Sequence, residues 1–214
     1  MITDESHYVA LAASYVRGVV GDRTLDDEVA LARGAADDLK LHRFKRTAQL
    51  PRVRAVLGAL RGFGAERLVD LGSGRGAFVW PLLDALPQIA LTATDVLAHR
   101  ALLFAHVARG GIDRLTAVRA DITALPFADA SVDCVTALEV LEHLPADGPE
   151  RAAREAFRVA RVAVIATVPS HEDDNPEHVH LFDGRHLEQL FRAAGARRVT
   201  VEHVFNHIVA VAVR

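Results

Sequence analysis

Three carboxylates stand where short hydrophobic runs stop: Asp70 in VDLGSGRG (69–76), Asp95 in LTATD and Asp121 in VRADITALPF. After Asp70 come Gly72, Gly74 and Gly76. Glycines at the turn from a strand into a helix let backbone approach a ligand closely, and the helix N-terminus supplies unpaired N–H groups, so a nucleotide-like ligand is implied. A dinucleotide fingerprint needs G-x-G-x-x-G, and here the third glycine comes one residue early, which disfavours NAD. Asp95 falls at about the offset where an acid meets ribose hydroxyls, its two oxygens suiting a vicinal diol. Asp121 could accept from an adenine amino group while the Ile122 backbone addresses the ring edge. A second group of reactive side chains follows: Glu139, Glu142 and His143 in EVLEH, then His171, His178 and His180 in HEDDNPEHVHLFD (171–183).

Elements that could position these residues are legible in the hydrophobic pattern. From residue 4 to about 63 it is helical, with Val9, Ala12, Ala13 and Val16 on one apolar face and Val29, Leu31, Leu39 and Leu41 continuing it. Two or three helices are expected there, the last from Pro51 to Leu60 with proline near its N-terminus. We read 1–63 as a helical lid or substrate-binding appendage and 64–214 as the main domain. After Gly64, strand-like runs at 66–71, 89–94, 115–119, 132–138, 162–168, 197–204 and 207–213 alternate with helical stretches at 76–86, 97–109, 150–159 and 185–194. This is the texture of a mainly parallel α/β sheet covered on both faces. Only Phe205 and Asn206 separate the last two runs, so these pair antiparallel as an edge hairpin. Pro81, following Trp80 inside the first core helix, is expected to kink it.

Composition narrows the function. The 214 residues are 50% hydrophobic and suffice for one globular core. With 25 basic and 28 acidic residues the net charge is −3, which speaks against a dedicated duplex-DNA binder. Cys134, the single cysteine, sits in an apolar run and reads as a buried hydrophobe in a reducing compartment. No run approaches the roughly 18 apolar residues of a bilayer span, and the opening MITDESHY carries acids where a leader carries Arg or Lys, so a cytoplasmic protein is expected.

The ordered acids and the G-x-G-x-G turn resemble the class I S-adenosylmethionine-dependent methyltransferases, and the resemblance covers residues 65–214. It implies a seven-stranded Rossmann-like sheet of order 3-2-1-4-5-7-6 with strand 7 antiparallel. It also implies that Gly72, Gly74 and Gly76 wrap the methionine portion of S-adenosylmethionine with Asp70 nearby. Asp95, with Val96 beside it, takes the ribose, and Asp121 with Ile122 takes the adenine.

Ligands in such sheets lie beyond the carboxyl ends of the strands, so the loops after adjacent fourth and fifth strands can converge. Two carboxylates and two imidazoles meeting there suit a divalent cation, Mg2+ or Mn2+, which would activate a hydroxyl acceptor. The Glu-x-x-Glu-His pattern with the later Glu177-His178 pair is similar to the metal site of small-RNA 3′-terminal 2′-O-methyltransferases, and its first part to ubiquinone-biosynthesis O-methyltransferases. That resemblance implies Glu139, Glu142, His143 and His178 as ligands, with His143 also a candidate proton acceptor. His171 and His180 read as loop or packing residues. The basic string HRFKRTAQLPRVR (42–54) offers Arg43, Lys45 and Arg46 as acceptor contacts. The expected acceptor is a small molecule bearing sugar-type hydroxyls. RNA ribose, and a metal-independent reaction on O, N or C, remain the alternatives, and the oligomeric state stays open.

Overall fold

A computed structural model describes residues 7–46, 50–171 and 175–214. The acidic opening hexapeptide, three residues of the basic string (47–49) and three of the histidine-rich segment (172–174) lie outside the described residues. Seven strands form one sheet: β1 (Arg67–Leu71), β2 (Ala90–Asp95), β3 (Leu115–Arg119), β4 (Val132–Leu138), β5 (Ala160–Pro169), β6 (Arg198–Val204) and β7 (His207–Val213). Their order is β3-β2-β1-β4-β5-β7-β6, with β7 antiparallel to both neighbours and every other pairing parallel. The expected fold is the one observed. Central strands are buried on both faces, which is why β4 and β5 read as near-continuous apolar runs. The β6–β7 turn is two residues long, with Asn206 in the left-handed region (φ 62°) that asparagine tolerates.

Helices α1 (Val9–Val20), α2 (Asp27–Ala36), α3 (Pro51–Phe63), α4 (Val79–Ala85) and α5 (Ala98–Arg109) precede β3, and α6 (Gly148–Val159) and α7 (Gly184–Ala193) come later. Leu68 of β1 joins one core layer with residues of α1, α3, α4 and α5. Val69 and Leu71 alternate to the opposite layer, shared with α6 and α7. Leu11, Phe44, Val56 and Leu60 therefore sit in the same core as Phe104 and Val209, so α1 and α3 are packed into the sheet's own core. Proline does start α3, which runs three residues past the expected Leu60 to a left-handed Gly64 (φ 59°).

Two local expectations are corrected. Val29 is 49% exposed, because α2 meets α1 through small residues, Ala30 and Gly34; a Cβ on Gly34 would stand 2.6 Å from Val16 Cγ2. Pro81 does not interrupt α4: the helix begins at Val79, which puts Pro81 in the first turn, and the bonds Trp80 N to Gly76 O and Leu82 N to Phe78 O, both 3.0 Å, run on either side of it. Among the described residues no helix is long and apolar enough to cross a membrane.

The contact between α1 and α5 is backbone on backbone. A Cβ on Gly110 would lie 1.6 Å from Ser14 O, and one on Gly18 would lie 1.8 Å from His106 O. Gly110→Ala is expected to lower the unfolding free energy in urea by about 1–3 kcal/mol. Gly58→Ala, within α3 and with open space around the added carbon, should raise it by about 0.5–1 kcal/mol.

Candidate active site

A cleft of about 910 Å3 opens beyond the carboxyl ends of β1, β2 and β4. Gly72, Gly74 and Gly76 all have positive φ (63°, 59° and 90°), which explains why glycine recurs there. Their surroundings differ. A Cβ on Gly72 would meet Val140 Cγ2 at 2.4 Å, whereas one on Gly74 would meet nothing nearer than 3.8 Å. Both line the cleft. Gly76, expected to touch the cofactor, is not among the described lining; it lies beneath Trp80, whose ring carbon would stand 2.2 Å from its added Cβ. The early third glycine thus answers to indole packing.

Asp95, at the end of β2 and 2% exposed, accepts from Gly74 N (3.0 Å) through Oδ2 and from Leu97 N (2.9 Å) through Oδ1. Arg100 Nη1 stands 3.6 Å from Oδ2. Ser73 N donates to Thr94 O (2.8 Å), completing the fastening of the turn to β2. Each Asp95 oxygen keeps a lone pair for a ligand hydroxyl. Val96 is 57% exposed and lines the same cleft. Asp121 lies two residues beyond β3; its Oδ1 accepts from Thr123 N and Oγ1, both at 2.8 Å, and these bonds hold its carboxyl below the usual range. Ile122 lines the cleft beside it.

Asp70 is buried, and burial pushes its carboxyl up to about 6 against the opposing bonds from Ser73 and Thr136, with Asp95 adding repulsion. Thr136 Oγ1 donates to its Oδ1 at 2.7 Å.

The loops after β4 and β5 converge. Glu142 O accepts from Val179 N (2.8 Å) and His180 N (3.2 Å), and this draws His178 onto His143, ring centroids 4.7 Å apart. Ligand atoms of Glu142, His143 and His178 all lie within 4.8 Å of one another. His143 Nδ1 faces Glu177 O at 3.0 Å; a carbonyl only accepts, so Nδ1 carries the hydrogen and Nε2 offers its lone pair. One carboxylate and two imidazoles are a donor set of the kind that can hold a divalent cation such as Mn2+.

Glu139 is not gathered with that set. It has φ 53°, accepts from Thr167 Oγ1 (2.7 Å) through Oε1, and lies 3.0 Å from His207 Nε2 through Oε2 and 3.8 Å from Arg52 Nε. Of the basic string, Arg52 lines the cleft; Arg43, Lys45 and Arg46 are not in its described lining. Arg43 lies over the Tyr15 ring, Lys45 is exposed on a bridge to His7, and Arg46 stacks on Tyr8 and makes two 2.9 Å bonds to Asp84. His171 is exposed and His180 rests against Phe182. Thr167 and His207 were missed by sequence reasoning; they lie near the ends of the adjoining strands β5 and β7, and it is the pairing of these strands that brings both to Glu139.

The sheet order with its antiparallel β7, together with a glycine turn fastened to a strand-end acid, is the arrangement that the resemblance to class I S-adenosylmethionine-dependent methyltransferases implies. Residues 69–166 match the family model described as a methyltransferase domain. Malonyl-[acyl-carrier protein] O-methyltransferase of Methylococcus capsulatus is 31% identical over 167 residues, which are 69% of this chain and 58% of that protein. The chain therefore spans less than two thirds of that relative's length. Among solved structures, an O-methyltransferase family protein of Burkholderia thailandensis superposes with a TM-score of 0.63 at 17% identity, over 77% of this chain and 55% of the other. A methyltransferase of Thermotoga maritima gives 0.61 at 20% identity, over 86% and 96%. These two share the fold.

Because folding raises Asp70 from 3.8 to about 6, the native state is favoured while this carboxyl is protonated. It loses about 3 kcal/mol as pH climbs from about 4 to about 6. Asp70→Asn should flatten that part of the stability profile and melt higher than wild type above pH 6 in calorimetric scans.

Proposed function

We propose that the chain transfers the methyl group of S-adenosylmethionine to an oxygen of a small polyhydroxylated acceptor, of sugar type, with a divalent cation, Mg2+ or Mn2+, at Glu142, His143 and His178. The observation that carries this reading is the approach of those three donors within 4.8 Å from two separate loops, with His143 lining the cleft.

S-adenosylmethionine supplies an electrophilic methyl on a positive sulfonium, open to in-line displacement. The chain's part is to hold the reactants. Gly72 and Gly74 bring backbone against the methionine portion, near Asp70. Asp95 offers one free lone pair per oxygen to the ribose diol, with Val96 as apolar surface beside it. Asp121, preset by Thr123, takes the adenine amino group next to Ile122. A cation at the three-residue set would act as a Lewis acid that acidifies and orients an acceptor hydroxyl. The Nε2 lone pair of His143 serves one partner at a time: it is a ligand when the cation is bound and the acceptor of the hydroxyl proton in a metal-free reaction.

A second reading is favoured by the 31% identity to the malonyl-[acyl-carrier protein] enzyme. In it the acceptor oxygen belongs to an acyl group presented by a carrier, and no cation is needed.

Calorimetric titration separates the two. S-adenosylmethionine should bind EDTA-treated protein, and Asp95→Ala should weaken it by about 10-fold or more, the worth of hydrogen bonds to a charged group. Mn2+ should bind wild type and fail to bind the Glu142→Ala, His143→Ala double variant. Donor binding without Mn2+ binding would move the acceptor to the second reading, and loss of donor binding in wild type would overturn both.

A further inference from the structure

A second cavity, of about 460 Å3, lies between α3 and α4 and shares no described lining residue with the cleft. Three guanidiniums line it, Arg46 from the basic string and Arg54 and Arg61 from α3. Arg54 and Arg61 stand two helical turns apart and therefore project from one face of α3. Gly58, between them on that face, leaves open space where a side chain would stand. Among the described residues neither Arg54 nor Arg61 has a side-chain ion pair or hydrogen bond, so their donors are uncommitted.

Arg46 is the fixed member of the three. It stacks on Tyr8 at 4.3 Å, gives Asp84 two 2.9 Å bonds and gives His7 O a third through Nε. A guanidinium has five N–H donors, so one on each terminal nitrogen remains for a ligand. Tyr8 adds a hydroxyl that burial keeps protonated beyond its ordinary range. Asp84 is the one carboxylate in the described lining, which leaves the cavity with an excess of positive charge. Leu57 and Pro81 add apolar wall. A phosphate monoester carries about −1.5 to −2 charges at neutral pH, and its oxygens suit the forked donors of arginine.

We propose that this cavity is a second ligand site, for a small organic phosphate monoester. Arg54 and Arg61 take the phosphate oxygens, Arg46 and Tyr8 complete the contacts, and Leu57 and Pro81 meet the organic part. Asp84 competes with the phosphate for Arg46, so the site is held open and its affinity is restrained by its own carboxylate. The proposal depends on neither the donor nor the cation, and it gives Arg46 and Arg54 of the basic string an occupation away from the cleft.

The test titrates phenyl phosphate and inorganic phosphate into the protein by calorimetry in dilute HEPES buffer. Wild type should bind both, phenyl phosphate about 10-fold more tightly because its ring covers apolar wall. The Arg54→Gln, Arg61→Gln double variant should weaken both by about 10-fold or more. Asp84→Asn removes the competing charge and should tighten both about 3- to 10-fold, a gain that misfolding cannot mimic. An unchanged calorimetric melting temperature reports the fold of the double variant. The proposal is overturned if wild type binds neither probe, if the double variant binds as wild type does, or if Asp84→Asn leaves affinity unmoved or lowers it. Equal affinity for the two probes would also sink it, since a bare anion on surface arginines needs no apolar wall.

Discussion

The carboxylate of Asp95 is the fastening on which the cleft depends. Three residues with positive φ make the turn after β1 costly to order, and a buried acid without partners would be costlier still. Each defect answers the other: the Gly74 amide, exposed by the turn, satisfies one Asp95 oxygen, and the Leu97 amide satisfies its neighbour. The turn and the end of β2 are thereby one rigid unit, and the surface left between them is where backbone can meet a ligand. Asp70 is the residue that bears the consequence, because it is buried next to a charge it cannot escape and is held by hydroxyls alone.

Topology does for the second half of the site what hydrogen bonding does for the first. Since β4 lies between β1 and β5, its end faces the glycine turn on one side and the β5 loop on the other. Val140 closes on Gly72, while the Glu142 carbonyl captures the amides of Val179 and His180. EVLEH is thereby divided between two environments. Glu139 faces Arg52, Thr167 and His207, and Glu142 with His143 faces His178.

The N-terminal helices are continuous with this arrangement. Backbone contact at Gly18 and Gly110 seats α1 on α5, and Val53, Val56 and Leu60 seat α3 on the core layer. Burying that face of α3 turns Arg52 into the cleft. Earlier in the same basic string, Arg46 is turned to Tyr8 and Asp84 on a different part of the surface.

The strands, their order of appearance and the hairpin at the edge were legible in the sequence, because burial on both faces of a parallel sheet demands uninterrupted apolar runs and a two-residue connection leaves no room for a crossover. The glycine turn and the acids at Asp95 and Asp121 were equally readable, being local features of strand ends. Gly76 showed the limit: its residue type was evident and its reason was not, since Trp80 lies four positions on and reaches back only once α4 has formed. Which of Glu139 and Glu142 joins His143 could not be read from their spacing, and neither could the contribution of Thr167 and His207. Those assignments depend on side-chain directions at the ends of β4, β5 and β7. Local sequence determined the strands and turns of this protein, and tertiary structure decided the partners, because direction and distance between chain segments exist only after the sheet has aligned them.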